Sequence, residues 1–122
     1  MQTLLLILQI ILALGIYNVW LVRPHRATEY RGGGANSLRA EFTAYGLPVW
    51  MMYAVGGIKL LVATGLIVGI WIPMLIPISA IVLGVMMLGA IFMHVKIKDS
   101  LKQTAPAIGM LVMSLAVIIL VM

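Results

Sequence analysis

Four apolar runs, separated by short polar stretches, constrain this chain more than any other feature of it. A helix needs about 20 apolar residues to cross the hydrocarbon core of a bilayer. The runs lie at about 2–22, 47–72, 73–95 and 104–122. Lipid offers backbone N–H and C=O groups no partners, so each run must satisfy them internally, as a helix. The expected fold is all-α, a four-helix transmembrane bundle forming one integral membrane domain over residues 1–122. Composition agrees. Of the 122 residues 64% are hydrophobic and only 9% charged, against about 25% charged in soluble domains. So little polar surface cannot cover so much apolar side chain, and lipid must be the solvent for most of it.

In the first span Gln9 and Asn18 are the only strongly polar residues, and it stops at Arg23-Pro24. It reads as a retained anchor, because its basic residues follow the apolar stretch, whereas a cleaved signal has them in front. Residues 23–46 form the sizeable polar connection. Arg31-Gly32-Gly33-Gly34 favours no regular element. From Asn36, a plausible N-cap, Leu38, Phe42 and Tyr45 recur at helical spacing. This stripe predicts a short interfacial helix over about 36–45 in the first cytoplasmic loop, lying in the headgroup plane. Glu41, three residues after Leu38, points towards the same stripe. Pro73 and Pro77 suit the first turns of a new helix, with Trp71 as an interfacial anchor at the tight turn before it.

The net charge is +5, and seven of the eight Lys and Arg residues fall in the two loops 23–46 and 96–103. Four spans put those loops on one side. Basic residues stay cytoplasmic, so both termini are expected outside. No soluble face exists to present a basic stripe, which excludes nucleic acid as a partner. Cysteine is absent, which removes disulfides, thiolate metal sites and thiol redox chemistry by this chain alone.

The eighth basic residue, Lys59, lies near mid-bilayer, where a lysine costs about 2.5–3.5 kcal/mol on insertion scales. No Asp or Glu occurs in any span to pair with it. Counting from the cytoplasmic ends puts Gln9 and Ser114 at its level, on the order of 20 Å from that surface. Their oxygens are the expected acceptors for Lys59. The plainer alternative is snorkelling of the long side chain towards the interface. Functionally, Lys59 reads equally as an anchor for a polar headgroup and as a structural hydrogen-bond post.

A second polar layer is expected near the cytoplasmic face: His94, Tyr53, Tyr17 and Asn18 in the spans, Asp99 and Glu41 in the loops. His94 with a carboxylate can hold a quinone oxygen or shuttle a proton. The bland reading is an interfacial histidine bonded to loop backbone. With two histidines in the chain, and His25 on a separate loop, no metal site is expected. Gly65 with Gly69, and Ala80 with Gly84, are small-xxx-small pairs that let helices approach closely, within the bundle or between copies. The ten methionines cluster as Met51-Met52, Met86-Met87 with Met93, and Met110 with Met113. They suit either membrane-core filling or an adaptable apolar pocket.

Tyr45-Gly46-Leu47-Pro48-Val49-Trp50, then Gly56-Gly57-Ile58-Lys59-Leu60-Leu61, then Gly69-Ile70-Trp71-Ile72-Pro73 resembles the DoxX family of small bacterial membrane proteins. Leu88-Gly89-Ala90 with His94, Lys98-Asp99 and Pro106 looks like the second half of the same pattern. Asn18-Val19-Trp20, Tyr30-Arg31-Gly32-Gly33 and Glu41-Phe42 are similar to one DoxX-like subgroup. The resemblance implies a four-helix membrane fold, with Lys59, His94, Asp99 and Glu41 as the positions to watch. The family takes its name from similarity to a subunit of thiosulfate:quinone oxidoreductase, and some members look like partners in redox assemblies. The resemblance therefore implies a small subunit or accessory protein of a membrane redox system, binding a quinone-like molecule or a lipid. The competing expectation is a structural or assembly subunit docked on a larger membrane complex, with no ligand of its own; the partners expected are the lipid bilayer and either further copies of the chain or such a complex. Only His94 with Asp99 or Glu41 offers acid–base chemistry, so an autonomous enzyme is not expected.

Overall fold

The computed structural model describes residues 2–22, 33 and 37–122. The expected stop at Arg23-Pro24, His25, the glycine run apart from Gly33, and Asn36 lie outside these residues. The described residues are chiefly helical, with no strand among them. In chain order the helices are α1 (Gln2–Tyr17), continued by a π-helical turn (Asn18–Val22), α2 (Leu38–Ala44), α3 (Val49–Val68), α4 (Leu75–Lys96) and α5 (Leu101–Val121). Four of these, α1 with its π turn, α3, α4 and α5, are long and apolar enough to cross a membrane. They close into a ring in which α1 packs on α3, α3 on α4, α4 on α5 and α5 back on α1.

Close packing holds this ring together, since lipid supplies no hydrophobic drive between helices. Leu12, Ala13, Ile16, Ala63, Leu66, Ala80, Leu83 and Val117 are buried at its centre. The small residues close the bundle from within. A Cβ on Gly65 would strike the Ser79 hydroxyl, and one on Gly69 would stand 2.7 Å from Ile76 Cγ1, so both glycines seat α4 against α3. Ala80 is fully buried, and Gly84 faces Ser114 and Leu111 across the α4–α5 contact.

The helix ends explain where the element boundaries depart from expectation. The second span ends at Val68, because Gly69 to Met74 form a series of turns at the far end of the bundle. Pro73 lies in those turns, Pro77 is the third residue of α4, and Trp71 is exposed beside them. The fourth span begins at Leu101, three residues before its apolar stretch. Ser100 and Gln103 form a capping box there, which satisfies two of the N–H groups left orphaned at a helix start. Pro106 is accommodated inside this helix. The N-cap of α2 is Ser37, whose Oγ accepts from Ala40 N at 3.1 Å, so α2 starts one residue later than Asn36 implied.

Two helix C-termini share one architecture. In α2 the N–H groups of Gly46 and Leu47 donate to Thr43 O and Phe42 O, with Gly46 at φ +78°. In α4 those of Lys98 and Asp99 donate to Val95 O and His94 O, with Lys98 at φ +59°. Both are Schellman turns, which satisfy the last carbonyls through one left-handed residue. They lie at the same end of the bundle and bring Tyr45 and Asp99 to His94.

Candidate ligand cavity

Between the spans, towards the end that carries the polar loops, lies a cavity of about 560 Å³. Its wall is chiefly apolar. Five of the ten methionines line it: Met51, Met86, Met87, Met93 and Met110. Unbranched thioethers adapt to irregular apolar shapes, so this wall conforms to a ligand with little specificity for its hydrocarbon part. The polar members are Asn18, Glu41, Tyr45, Lys59, His94 and Gln103. Lys59 and His94, on which the two expected polar layers centred, therefore line one space.

Lys59 sits near the middle of the 20-residue α3. Its Nζ lies 5.5 Å from the centroid of the Trp20 ring, close enough for a cation–π attraction of about 0.5–2 kcal/mol. Glu41 acts on it electrostatically. Among the described residues it has no hydrogen-bond acceptor. Trp20 is placed by the π turn, lies against the bare backbone of Gly56, and meets Phe42 edge-on at 6.0 Å between ring centroids.

Gln9 and Ser114 are not the acceptors of Lys59. Gln9 Nε2 donates to Leu66 O at 2.7 Å, and Ser114 Oγ is buried with no partner among the described residues. Neither lines the cavity. The reason is an offset between helices. Trp20 meets Gly56 and Gln9 meets Leu66 on antiparallel α1 and α3, so Lys59 stands opposite the end of α1. Tyr17 fills the neighbouring step, its hydroxyl 2.8 Å from Thr64 Oγ1. Tyr53 is also elsewhere: it lies 63% exposed on the outer face of α3, where Arg39 Nη2 donates to its hydroxyl at 3.4 Å.

At the polar end, four side chains form a connected chain. His94 Nδ1 lies 2.7 Å from Asp99 Oδ2, both side chains being almost fully buried. Asp99 Oδ1 accepts from Gly33 N at 2.9 Å. Tyr45 donates to Glu41 Oε1 at 2.5 Å and stands at a longer 3.4 Å from His94 Nε2. The Tyr45 ring packs edge-on to His94 with centroids 5.8 Å apart, and Lys96 Nζ donates to Tyr45 O at 3.3 Å. An aspartate on Nδ1 fixes the imidazole's orientation and turns Nε2 to Tyr45 and the cavity. Tyr45 is the site residue the sequence reading missed, taken there as part of the apolar stripe of α2 and of the family motif but not as a polar group beside His94. The Tyr45-Gly46 pair was the available signal, since glycine after a helix marks a C-cap. Among the described residues no group of three or more His, Cys, Asp or Glu is placed to hold a metal ion.

Four membrane-length helices in a closed ring, with charged groups gathered at one end, define a small multi-pass helical membrane protein. The sequence profile of the DoxX-like family matches residues 32–117. The chain belongs to that family. The match takes in Glu41, Tyr45, Lys59, His94 and Asp99, whereas Asn18-Val19-Trp20 falls outside it. Comparison with curated proteins and with solved structures gives no significant match.

Proposed function

We propose that this protein is a small subunit or accessory protein of a membrane redox system, and that its cavity holds one lipophilic molecule with an oxygen-bearing, quinone-like head. The observation that carries the reading is Lys59. A lysine near mid-span costs about 2.5–3.5 kcal/mol to insert, and its ammonium faces the cavity without a hydrogen-bond acceptor among the described residues. Glu41 on the same wall offsets its charge. A neutral head with acceptor oxygens fits such a wall better than a free anion does. The methionines accept a flexible tail, and Tyr45 with His94 offers a second polar contact.

The test uses protein purified in mild detergent. Native mass spectrometry is expected to find one lipophilic molecule per chain, and quinone analogues are expected to raise the melting temperature and quench Trp20 emission in a Trp50→Phe/Trp71→Phe background. Lys59→Met keeps the volume and removes the donor. It should abolish these effects while leaving stability equal or higher, since the insertion cost exceeds the cation–π gain. If analogues change neither the melting temperature nor the emission, the quinone reading fails.

We also infer that the polar end faces the cytoplasm of a bacterial inner membrane and that both termini face outward, because the basic loops gather there. Impermeant thiol labelling of single cysteines placed at either terminus should mark intact spheroplasts. Labelling of only one terminus would refute this orientation.

A further inference from the structure

A second recess, of about 420 Å³, lies outside the ring on the face of α3 that α2 overhangs. Its floor is the Gly56-Gly57 backbone, its sides are Met52 and Leu60, and its polar rim is Arg39 with Tyr53. We propose that this groove is a binding site for one anionic phospholipid, its phosphate on Arg39 and Tyr53 and an acyl chain along Gly57 towards Leu60.

Three observations carry the assignment. The first is the order of chemistry along the groove. Arg39 is exposed on α2, at the end of the bundle where the polar loops lie. Tyr53 is early in α3 and largely exposed. From there to Leu60 the groove runs about 10 Å along the helix towards mid-span. A headgroup-to-tail gradient is thus built into one face. The second is charge. Among the described residues Arg39 is the one charged residue lining the groove, and none of them offers a carboxylate to receive the cation of a zwitterionic head. A guanidinium fork pairs two phosphate oxygens, and the Tyr53 hydroxyl already lies 3.4 Å from Arg39 Nη2. The third is the floor. A Cβ built on Gly57 meets nothing within 4 Å, whereas Gly56 beside it is covered by Trp20, so it is Gly57 that leaves an open step in a helix surface otherwise studded with side chains. Trp20 and Leu38 line both this groove and the cavity between the spans, whereas the polar rim, Arg39 with Tyr53, belongs to the groove alone.

The experiment counts retained lipids by native mass spectrometry on the full chain in detergent, supplied with phosphatidylglycerol or phosphatidylcholine. The wild-type chain is expected to retain one phosphatidylglycerol in preference to phosphatidylcholine. Arg39→Gln should reduce that preference about fivefold, the ~1 kcal/mol that one basic residue is worth beside an anionic surface. Gly57→Leu fills the channel without a clash at its Cβ and should abolish retention of both lipids. Retention unchanged in both variants would overturn the proposal. So would displacement of phosphatidylglycerol by inorganic phosphate alone, since the acyl channel would then contribute nothing. A Gly57→Leu chain that changes its oligomeric state but keeps its lipid would assign the groove to a second copy and likewise overturn it.

Discussion

Gly56→Ala tests whether the position of Trp20, and with it the wall of the cavity, depends on one missing methyl group. An added Cβ would stand 2.6 Å from Trp20 Cε3 and Cζ3. An ordinary carbon contact is about 3.5 Å, so ring or helix must move by about 1 Å. The indole has little room, because Phe42 meets it edge-on at 6.0 Å. Overpacking of this kind costs about 1–3 kcal/mol. Alanine in place of glycine returns up to about 1 kcal/mol of helix propensity, so the net change is a destabilisation of about 0–2 kcal/mol. Gly57→Ala is the internal control: the same exchange in the same helix, with nothing within 4 Å of the new Cβ. It should stabilise the protein. The difference between the variants, about 1–3 kcal/mol, isolates the clash and cancels the propensity term. Reversible unfolding in mixed micelles, followed by circular dichroism, measures both. Equal stabilities would refute the reasoning, because the contact between Trp20 and the α3 backbone would then carry no weight.

Three further outcomes follow from the helix ends and the buried polar groups. Lys98→Gly should stabilise the protein by about 0.5–1 kcal/mol in the same unfolding assay, because lysine pays for the left-handed conformation that glycine adopts freely. Ser114→Ala should be stabilising by about 1 kcal/mol, since it removes a buried hydroxyl that lacks a partner among the described residues; a loss of stability would mean that Ser114 serves as an acceptor after all. Tyr45→Phe keeps the ring contacts with Phe42 and His94 but drops the hydrogen bond to Glu41. Thermal unfolding should show a loss of about 2 kcal/mol, within the range for hydrogen bonds to charged groups.

The spans were legible because lipid imposes a long, continuous apolar requirement that hydropathy reads directly. Their ends were less so. The first turn of α5 is polar (Leu101-Lys102-Gln103), and only the Ser100–Gln103 spacing of a capping box announced it. The left-handed Lys98 gave no signal at all, since lysine does not advertise that conformation, whereas Gly46 did for the matching turn after α2. Depth counting misplaced the partners of Lys59 for a different reason. It assumed that α1 and α3 reach the polar face at one level, whereas α1 ends in a π turn and α3 begins after Pro48. Asp99 and Glu41 were both legible as carboxylate partners for His94, and the direct pairing with Asp99 arises from the Schellman turn that folds the chain back between them.

The π turn at Asn18–Val22 acts as a phase shift. One extra residue in a helix rotates everything beyond it by about 100° relative to a regular α-helix. Tyr17 before the turn engages Thr64, whereas Trp20 within it packs on Gly56 and beneath the ammonium of Lys59. Deleting Val19 would restore the regular pitch and remove only its own side chain from the cavity wall. The indole would then swing off the α3 backbone, and the cation would lose its aromatic neighbour through angular register alone.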